Sequence, residues 1–141
     1  MMFQTTLGAV FVQVALTFAL LIWMGTARVG SLKRGEVKIR DIALGESGWR
    51  AETTKVANCF HNQLELPMLF YVLVALALIL RKADLILAVL AWLFVLTRLV
   101  HAYIQTTSNN VPRRSQAFFV GAIILMVMWG YFAVEVLLHI P

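Results

Sequence analysis

Polar side chains recur along residues 55–65 at the spacing of an α-helix. The set is Lys55, Asn58, Asn62 and Glu65, with His61 beside it. Steps of three and four residues place side chains on one stripe of a helix. The stripe runs into residues 66–80, where the Tyr71 hydroxyl is the one polar side-chain group. Because a carboxylate inside a membrane costs roughly 2.5 to 3.5 kcal/mol, we expect Glu65 to face protein, ligand or water.

A second polar stripe follows in the third apolar stretch. It consists of Arg98, His101 and Gln105, again three and four residues apart. The next stretch opens with Arg113, Arg114 and Ser115, directly after Pro112. The first turn of a helix has free backbone N–H groups and a favourable dipole, so this segment is suited to an anion.

The composition indicates that these stripes belong to a membrane protein. Of its 141 residues, 61% are hydrophobic and 13% charged, against roughly 45 to 50% and 25% in soluble domains. Apolar stretches predict four helices at about 4–27, 53–80, 84–106 and 112–139, each able to cross a hydrocarbon core of roughly 30 Å. We therefore predict an all-α membrane protein, one four-helix transmembrane bundle with up-down-up-down topology. Residues 1–6 lack a basic segment, so we expect the first helix to be retained.

Local signals place the connections between these helices. Residues 28–55 are polar and predict the one substantial loop, punctuated by Gly30, Gly35, Gly45 and Gly48. Either Thr53 or Thr54 is expected to cap the second helix, and Asp84 the third. Pro67 should bend the second helix just past Glu65. Pro112 suits the first position of the fourth helix.

The basic residues predict the orientation in the membrane. The two connections on one side, residues 28–55 and 98–114, hold ten of the twelve Lys and Arg residues. The positive-inside rule places these connections in the cytoplasm and both termini on the non-cytoplasmic side. Because topology explains the net charge of +5, we predict no nucleic-acid partner. The following groups should then converge at one membrane level, with the opposite charges paired: Glu65, Arg98, His101, Arg114 and Ser115.

Three short motifs resemble the MAPEG family, the membrane-associated proteins in eicosanoid and glutathione metabolism. They are Asn62-Gln-Leu-Glu65 followed by Pro67, Arg98-x-x-His101, and Arg114-Ser115. The resemblance implies a homotrimer of four-helix subunits in the bacterial inner membrane. It also implies glutathione as a cofactor, bound between subunits on the cytoplasmic side, with membrane lipids and a lipophilic small-molecule substrate as further partners.

The resemblance also implies a role for each matching residue. Asn62 and Glu65 would hold the glutathione backbone, and Arg98 would brace Glu65 or a glutathione carboxylate. His101 would line the pocket, together with Asn58 and His61, which stand where catalytic members usually carry arginines. Arg114 and Ser115 would lie near the sulfur, where a guanidinium and a helix N-terminus favour the thiolate. The implied activity is that of a glutathione-dependent transferase or peroxidase acting on lipophilic electrophiles.

Two departures from the catalytic members favour a different function. Phe118 and Gln105 stand where those enzymes commonly carry tyrosines. A non-catalytic trimeric scaffold, either lipid-binding or an accessory subunit of a larger membrane complex, is therefore the alternative. A small proton or solute transporter using Glu65 and His101 is a lesser alternative, since ionisable residues in a membrane also mark ion pathways.

Simpler interpretations also remain open for single residues. Glu65 and Arg98 can form a purely structural ion pair, and His101 can be a packing residue. Arg113 and Arg114 can be anchors for lipid headgroups. His61, Glu65 and His101 offer three metal ligands without a second shell, so we predict no metal site.

Overall fold

The computed structural model describes residues 1–44 and 48–138, and every regular element in them is helical. The helices are α1 (Met2–Lys33), α2 (Ile39–Ile42), α3 (Ala51–Asn62), α4 (Leu66–Ile79), α5 (Leu85–Thr106) and α6 (Val111–Leu137). Four segments are long and apolar enough to cross a membrane: Met2–Lys33, Ala51–Ile79, Leu85–Thr106 and Val111–Leu137. The prediction of an all-α membrane protein with four spans is confirmed.

The helices pack around α5, which contacts α1, α3 and α6. The core contains Ala9, Phe70, Leu73, Ala77, Ala91, Phe94, Leu125 and Met128. Phe70 of α4 stacks on Phe94 of α5 with ring centroids 4.8 Å apart. Large apolar side chains also point outward, including Phe11, Phe18 and Met126. Such an outer surface suits lipid, which solvates these groups as well as a protein core does.

The apolar core and the buried polar groups occupy different halves of the bundle. We call the end that carries the 34–50 connection and the turn at 107–110 the loop side. Most core residues lie in the half away from it. The buried polar side chains Gln63, Arg98, His101 and Gln105 lie towards it. The fold therefore concentrates polar chemistry on the loop side.

Helix α1 is longer than the sequence predicted. The prediction that a loop begins at Arg28 was wrong, since the helix continues to Lys33. A single glycine such as Gly30 costs only about 1 kcal/mol in a helix. Ser31 is buried and lies 3.2 Å from the Thr53 hydroxyl, which fixes the extra turn against α3. The helix ends where Gly35 adopts a φ of 71°, a conformation that favours glycine.

The start of α3 also differs from its prediction. The helix begins at Ala51 with Arg50 as its N-cap residue, and no side chain caps it. Thr53 and Thr54 therefore lie inside the first turn, and neither is the cap. Buried Thr53 meets Ser31 instead, so its hydroxyl serves helix packing.

The two later spans begin close to their predicted positions. The Leu87 backbone N–H donates to Asp84 Oδ1 over 2.9 Å, so Asp84 caps α5 as predicted. Pro112 lies in the first turn of α6 but at its second position, one residue later than predicted, because the helix begins at Val111. Asn110 caps this helix by accepting a hydrogen bond from the Arg113 N–H. The predicted helix end at 139 and the glycine at 45 lie outside the described residues.

The second span is interrupted rather than bent. Helix α3 ends at Asn62 and α4 begins at Leu66, so the break lies at 63–65, before the position that we predicted. Pro67 lies in the first turn of α4. Backbone N–H groups in this turn have no partner within the helix, so the missing N–H of proline costs no hydrogen bond. Gln63 is fully buried in the break; it accepts a 2.9 Å bond from Gln13 Nε2 of α1 and donates to the Cys59 carbonyl. These amide bonds fix the interruption inside the bundle.

Candidate functional site

Arg98 is the largest buried charged side chain, with 1% of its surface exposed. Its Nη2 donates to the backbone carbonyl and to the Oδ1 atom of Asn62, at 3.3 and 3.2 Å. Its Nε and Nη1 atoms find no acceptor among the described residues. A buried cation costs several kcal/mol unless an anion and full hydrogen bonding compensate it. We therefore expect an anionic group to bind beside Arg98.

A polar pocket of about 230 Å³ opens beside Asn62, on the side chains of three helices. It is lined by Asn62 of α3, His101 and Gln105 of α5, and Arg114, Ser115, Phe118 and Phe119 of α6. The His101 ring is 98% buried and faces the Phe118 ring at 6.0 Å. His101 Nδ1 and Gln105 Oε1 are buried without a partner in the described structure. Convergent unpaired polar groups beside aromatic rings are typical of a ligand site.

Arg114 is held at the rim of this pocket by the turn between α5 and α6. Its Nη1 donates to Asn109 Oδ1 over 2.6 Å. Asn109 has a φ of 51°, a left-handed conformation that asparagine tolerates better than most residues. Arg114 and Ser115 lie in the first two turns of α6, near its positive end. The guanidinium and the helix N-terminus together make this rim suitable for an anion or a thiolate.

Glu65 does not form the ion pair that the sequence suggested. It is exposed in the N-cap position of α4, and no ion pair of the described residues includes it. The expected pairing with Arg98 or Arg114 is therefore wrong within one subunit. The break at 63–65 changes the phase of the helix, so that Asn62 meets Arg98 and Glu65 points away.

The other stripe residues lie apart from the pocket. Asn58 and His61 are exposed and do not line it. Lys55 is half-buried and donates to the Thr107 carbonyl over 2.9 Å, which ties α3 to the α5–α6 turn. Of the predicted site residues, the structure thus brings Asn62, Arg98 and His101 together with Arg114 and Ser115. Asn58, His61 and Glu65 form a separate exposed edge.

Sequence reasoning missed the residues that hold the site in place. Gln13 and Gln63 fix the helix break, and Asn109 positions Arg114. Gln13 carried a signal, because an amide in an otherwise apolar span needs a buried partner. No such signal indicated the hydrogen bond between Asn109 and Arg114, since that bond depends on the geometry of the turn.

No three His, Cys, Asp or Glu side chains within 1–44 and 48–138 are grouped as a metal site requires. The combination of His61, Glu65 and His101 is therefore not assembled. The lone Cys59 is buried and free, and its Sγ lies 3.9 Å from the Ala102 carbonyl oxygen.

These features define a class: a four-span helical membrane protein with a cationic polar pocket where three helices meet. The family model of the MAPEG family matches residues 6–134, nearly the whole chain. The chain belongs to this family, whose members are generally associated with glutathione. Neither a curated protein nor a solved structure matches it.

Proposed function

We propose that this protein binds glutathione in the pocket between Asn62 and Arg114 and transfers it to a lipophilic electrophile. The observation that carries the proposal is the buried Arg98 guanidinium: its Nη2 contacts Asn62, which lines the pocket, and its Nε and Nη1 have no acceptor in the described structure. Glutathione brings two carboxylates, and a guanidinium binds a carboxylate through short, charge-assisted hydrogen bonds. One carboxylate of the tripeptide would supply the anion that Arg98 lacks.

Arg114 and Ser115 would act on the thiol. A free thiol has a pKa of roughly 8.5, so little thiolate exists near neutral pH. The Arg114 charge and the N-terminus of α6 stabilise a negative sulfur at the pocket rim. The sulfur lone pair then forms a bond to the electrophilic carbon, and the leaving group departs with its electron pair. With a hydroperoxide, the same sulfur attacks the terminal oxygen, the O–O bond breaks, and the alkoxide takes up a proton and leaves as the alcohol. A second glutathione then attacks the resulting sulfenic acid, which gives the disulfide and water.

The size of the pocket supports a site shared between subunits. Its volume of about 230 Å³ is below the roughly 300 to 1,000 Å³ of ordinary ligand sites. Glu65, Asn58 and His61 lie on an exposed edge of the same side of the bundle. In a homotrimer a neighbouring subunit would close the pocket and bring such groups to the ligand. We place the loop side in the cytoplasm, because ten of the twelve basic residues lie there.

One observation favours the alternative, a non-catalytic trimeric scaffold. Phe118 and Phe119 line the pocket, so beyond Ser115 its α6 wall offers two aromatic rings and no further hydroxyl. The Arg98–Asn62 contact would then serve only to join α3 and α5. Such a protein would bind lipid or a partner subunit without turnover.

The test is conjugation of glutathione to 1-chloro-2,4-dinitrobenzene by the purified protein. We expect glutathione-dependent turnover in the wild type and a loss of about 10²-fold or more in Arg114→Ala, the range for removing one group that stabilises the transition state. Arg40→Ala is the matched control, because Arg40 is exposed in α2 and distant in sequence from the pocket. Absence of turnover together with absence of a thermal shift by S-methylglutathione would reject the enzyme and favour the scaffold.

A further inference from the structure

The two consecutive arginines at the start of α6 lie on different faces of the helix. Arg114 lines the pocket described above and bonds to Asn109. Arg113 lines a groove on the outer surface, between α5 and α6. Neighbouring residues on a helix are about 100° apart, so one sequence pair can serve two sites.

The outer groove is large and apolar along most of its length. It measures about 580 Å³, and its walls include Leu96 and Val100 of α5 and Val120 and Ile124 of α6. About half of the surface of Leu96, Val100 and Val120 is exposed. Two polar side chains, Arg113 and Gln116, lie at its loop-side end. Thr97 also lines the groove, but its hydroxyl donates to the Phe94 carbonyl of its own helix. A charged group at one end and an apolar remainder match a lipid, which has one headgroup and long apolar chains.

The helices meet closely beneath this groove. A Cβ atom on Gly121 would lie 2.7 Å from Thr97 Oγ1, so α5 and α6 are in near contact at that level. The groove is therefore a surface channel, separated there from the interior of the bundle. From Arg113 to Ile124 the helix rises about 16 Å at about 1.5 Å per residue. This is close to half of a hydrocarbon core of roughly 30 Å, the depth of one leaflet.

Arg113 has a free guanidinium at the mouth of the groove. Its backbone N–H donates to Asn110, but its side chain forms no hydrogen bond or ion pair with any residue that the structure describes. Gln116 lies one turn further along the same face, with its amide also unpaired in the described structure. A guanidinium with an adjacent amide donor matches the geometry of a phosphate diester.

We propose that the α5–α6 groove is a binding site for an anionic phospholipid of the loop-side leaflet. The phosphate contacts Arg113 and Gln116, and one acyl chain lies between Leu96 and Val120. The charge at one end and the one-leaflet length favour a lipid over a second copy of the chain as the occupant. This site is independent of the glutathione pocket, because Arg113 and Arg114 face different cavities.

Native mass spectrometry of the purified full-length protein tests the proposal. The protein in detergent is mixed with phosphatidylglycerol or with phosphatidylcholine of the same acyl chains. We expect the wild type to retain phosphatidylglycerol preferentially, and Arg113→Ala to bind it about tenfold more weakly, the effect of one charge-assisted hydrogen bond. Val120→Trp, which fills the groove without removing charge, should lose the lipid too. Arg114→Ala, the adjacent arginine, should retain it.

Three outcomes would overturn the proposal. Equal retention of both lipids by the wild type, or undiminished phosphatidylglycerol on Arg113→Ala and Val120→Trp, would show that the groove does not select this lipid. Dissociation of an oligomer by Val120→Trp would show that another copy of the chain covers the groove. Size-exclusion profiles of the variants show whether each remains folded.

Discussion

At the scale of residues, the central feature is a buried cation with an amide instead of a carboxylate as its partner. The sequence predicted that the stripes carrying Asn62, Arg98 and His101 would meet, since helical spacing and membrane depth are both encoded locally. It did not predict which residue of the first stripe would reach Arg98. That choice depends on the phase of the helix at residues 63–65, where the break turns Glu65 outward.

The contact between Asn62 and Arg98 yields a prediction for stability. Asn62→Ala removes a side-chain acceptor of a guanidinium that is 1% exposed. We expect a loss of about 1.5 to 3 kcal/mol in the free energy of unfolding, the range for hydrogen bonds to charged groups. Asn58→Ala, an exposed change on the same helix, should stay within about 0.5 kcal/mol. Unfolding in detergent micelles measures both, and equal stability of the two variants would contradict the assigned contact.

Glu36, in the connection after α1, yields a prediction for pH dependence. A hydrogen bond from Arg34, with help from Arg50, lowers the pKa of this carboxyl from 4.5 to about 2. A lowered pKa in the folded state means that the ionised form stabilises the connection. This contribution is present above about pH 4.5 and is lost as the pH falls towards 2.

Carbon NMR of the Glu36 carboxyl group measures this titration directly. We expect a midpoint near pH 2, and a higher midpoint in Arg50→Ala, which removes the 2.9 Å contact to Oε1. A wild-type midpoint near 4.5, unchanged in that variant, would show that the two arginines do not hold the carboxylate.

At the scale of elements, the sequence predicted the positions of the four spans, but it predicted their boundaries with uneven accuracy. Asp84 marked a helix start correctly and Pro112 marked one to within a residue, because capping and the missing proline N–H act within one turn. The end of α1 was misplaced, because a polar composition from Arg28 onward does not by itself stop a helix. Its last turn is stabilised by the contact of Ser31 with Thr53, which is distant in sequence.

The close packing of α5 on α6 yields a prediction with a matched control. In Gly121→Ala the new methyl would lie 2.7 Å from Thr97 Oγ1, so either the Thr97 hydroxyl rotates away from its bond to the Phe94 carbonyl or the helices shift apart. We expect a loss of about 1 to 3 kcal/mol, as for other overpacked contacts. Gly130 has open space around its Cβ position. Gly130→Ala should therefore stabilise α6 by up to about 1 kcal/mol through helix propensity.

Thermal unfolding of the two glycine variants separates packing from propensity. Adding Thr97→Ala to Gly121→Ala removes the clashing hydroxyl and should restore much of the stability. If Gly121→Ala were as stable as Gly130→Ala, α5 and α6 would not be in close contact at this level.

At the scale of the whole molecule, composition was enough to predict four spans, and the family match to residues 6–134 agrees with the motifs that suggested it. The oligomer stays a prediction, since symmetry depends on surfaces that one chain shows only as exposed. The exposed edge formed by Asn58, His61 and Glu65 and the small volume of the pocket both favour a neighbouring subunit. We expect native mass spectrometry to give three times the 15.9 kDa subunit mass. A monomer or dimer would contradict a shared site.

Calorimetric titration of glutathione into the purified protein measures whether the buried guanidinium of Arg98 binds an anionic ligand. We predict saturable binding to the wild type and at least about tenfold weaker binding to Arg98→Met, which keeps the apolar stem but removes the charge-assisted hydrogen bonds. Absence of binding to the wild type, or equal affinity in the variant, would contradict the account.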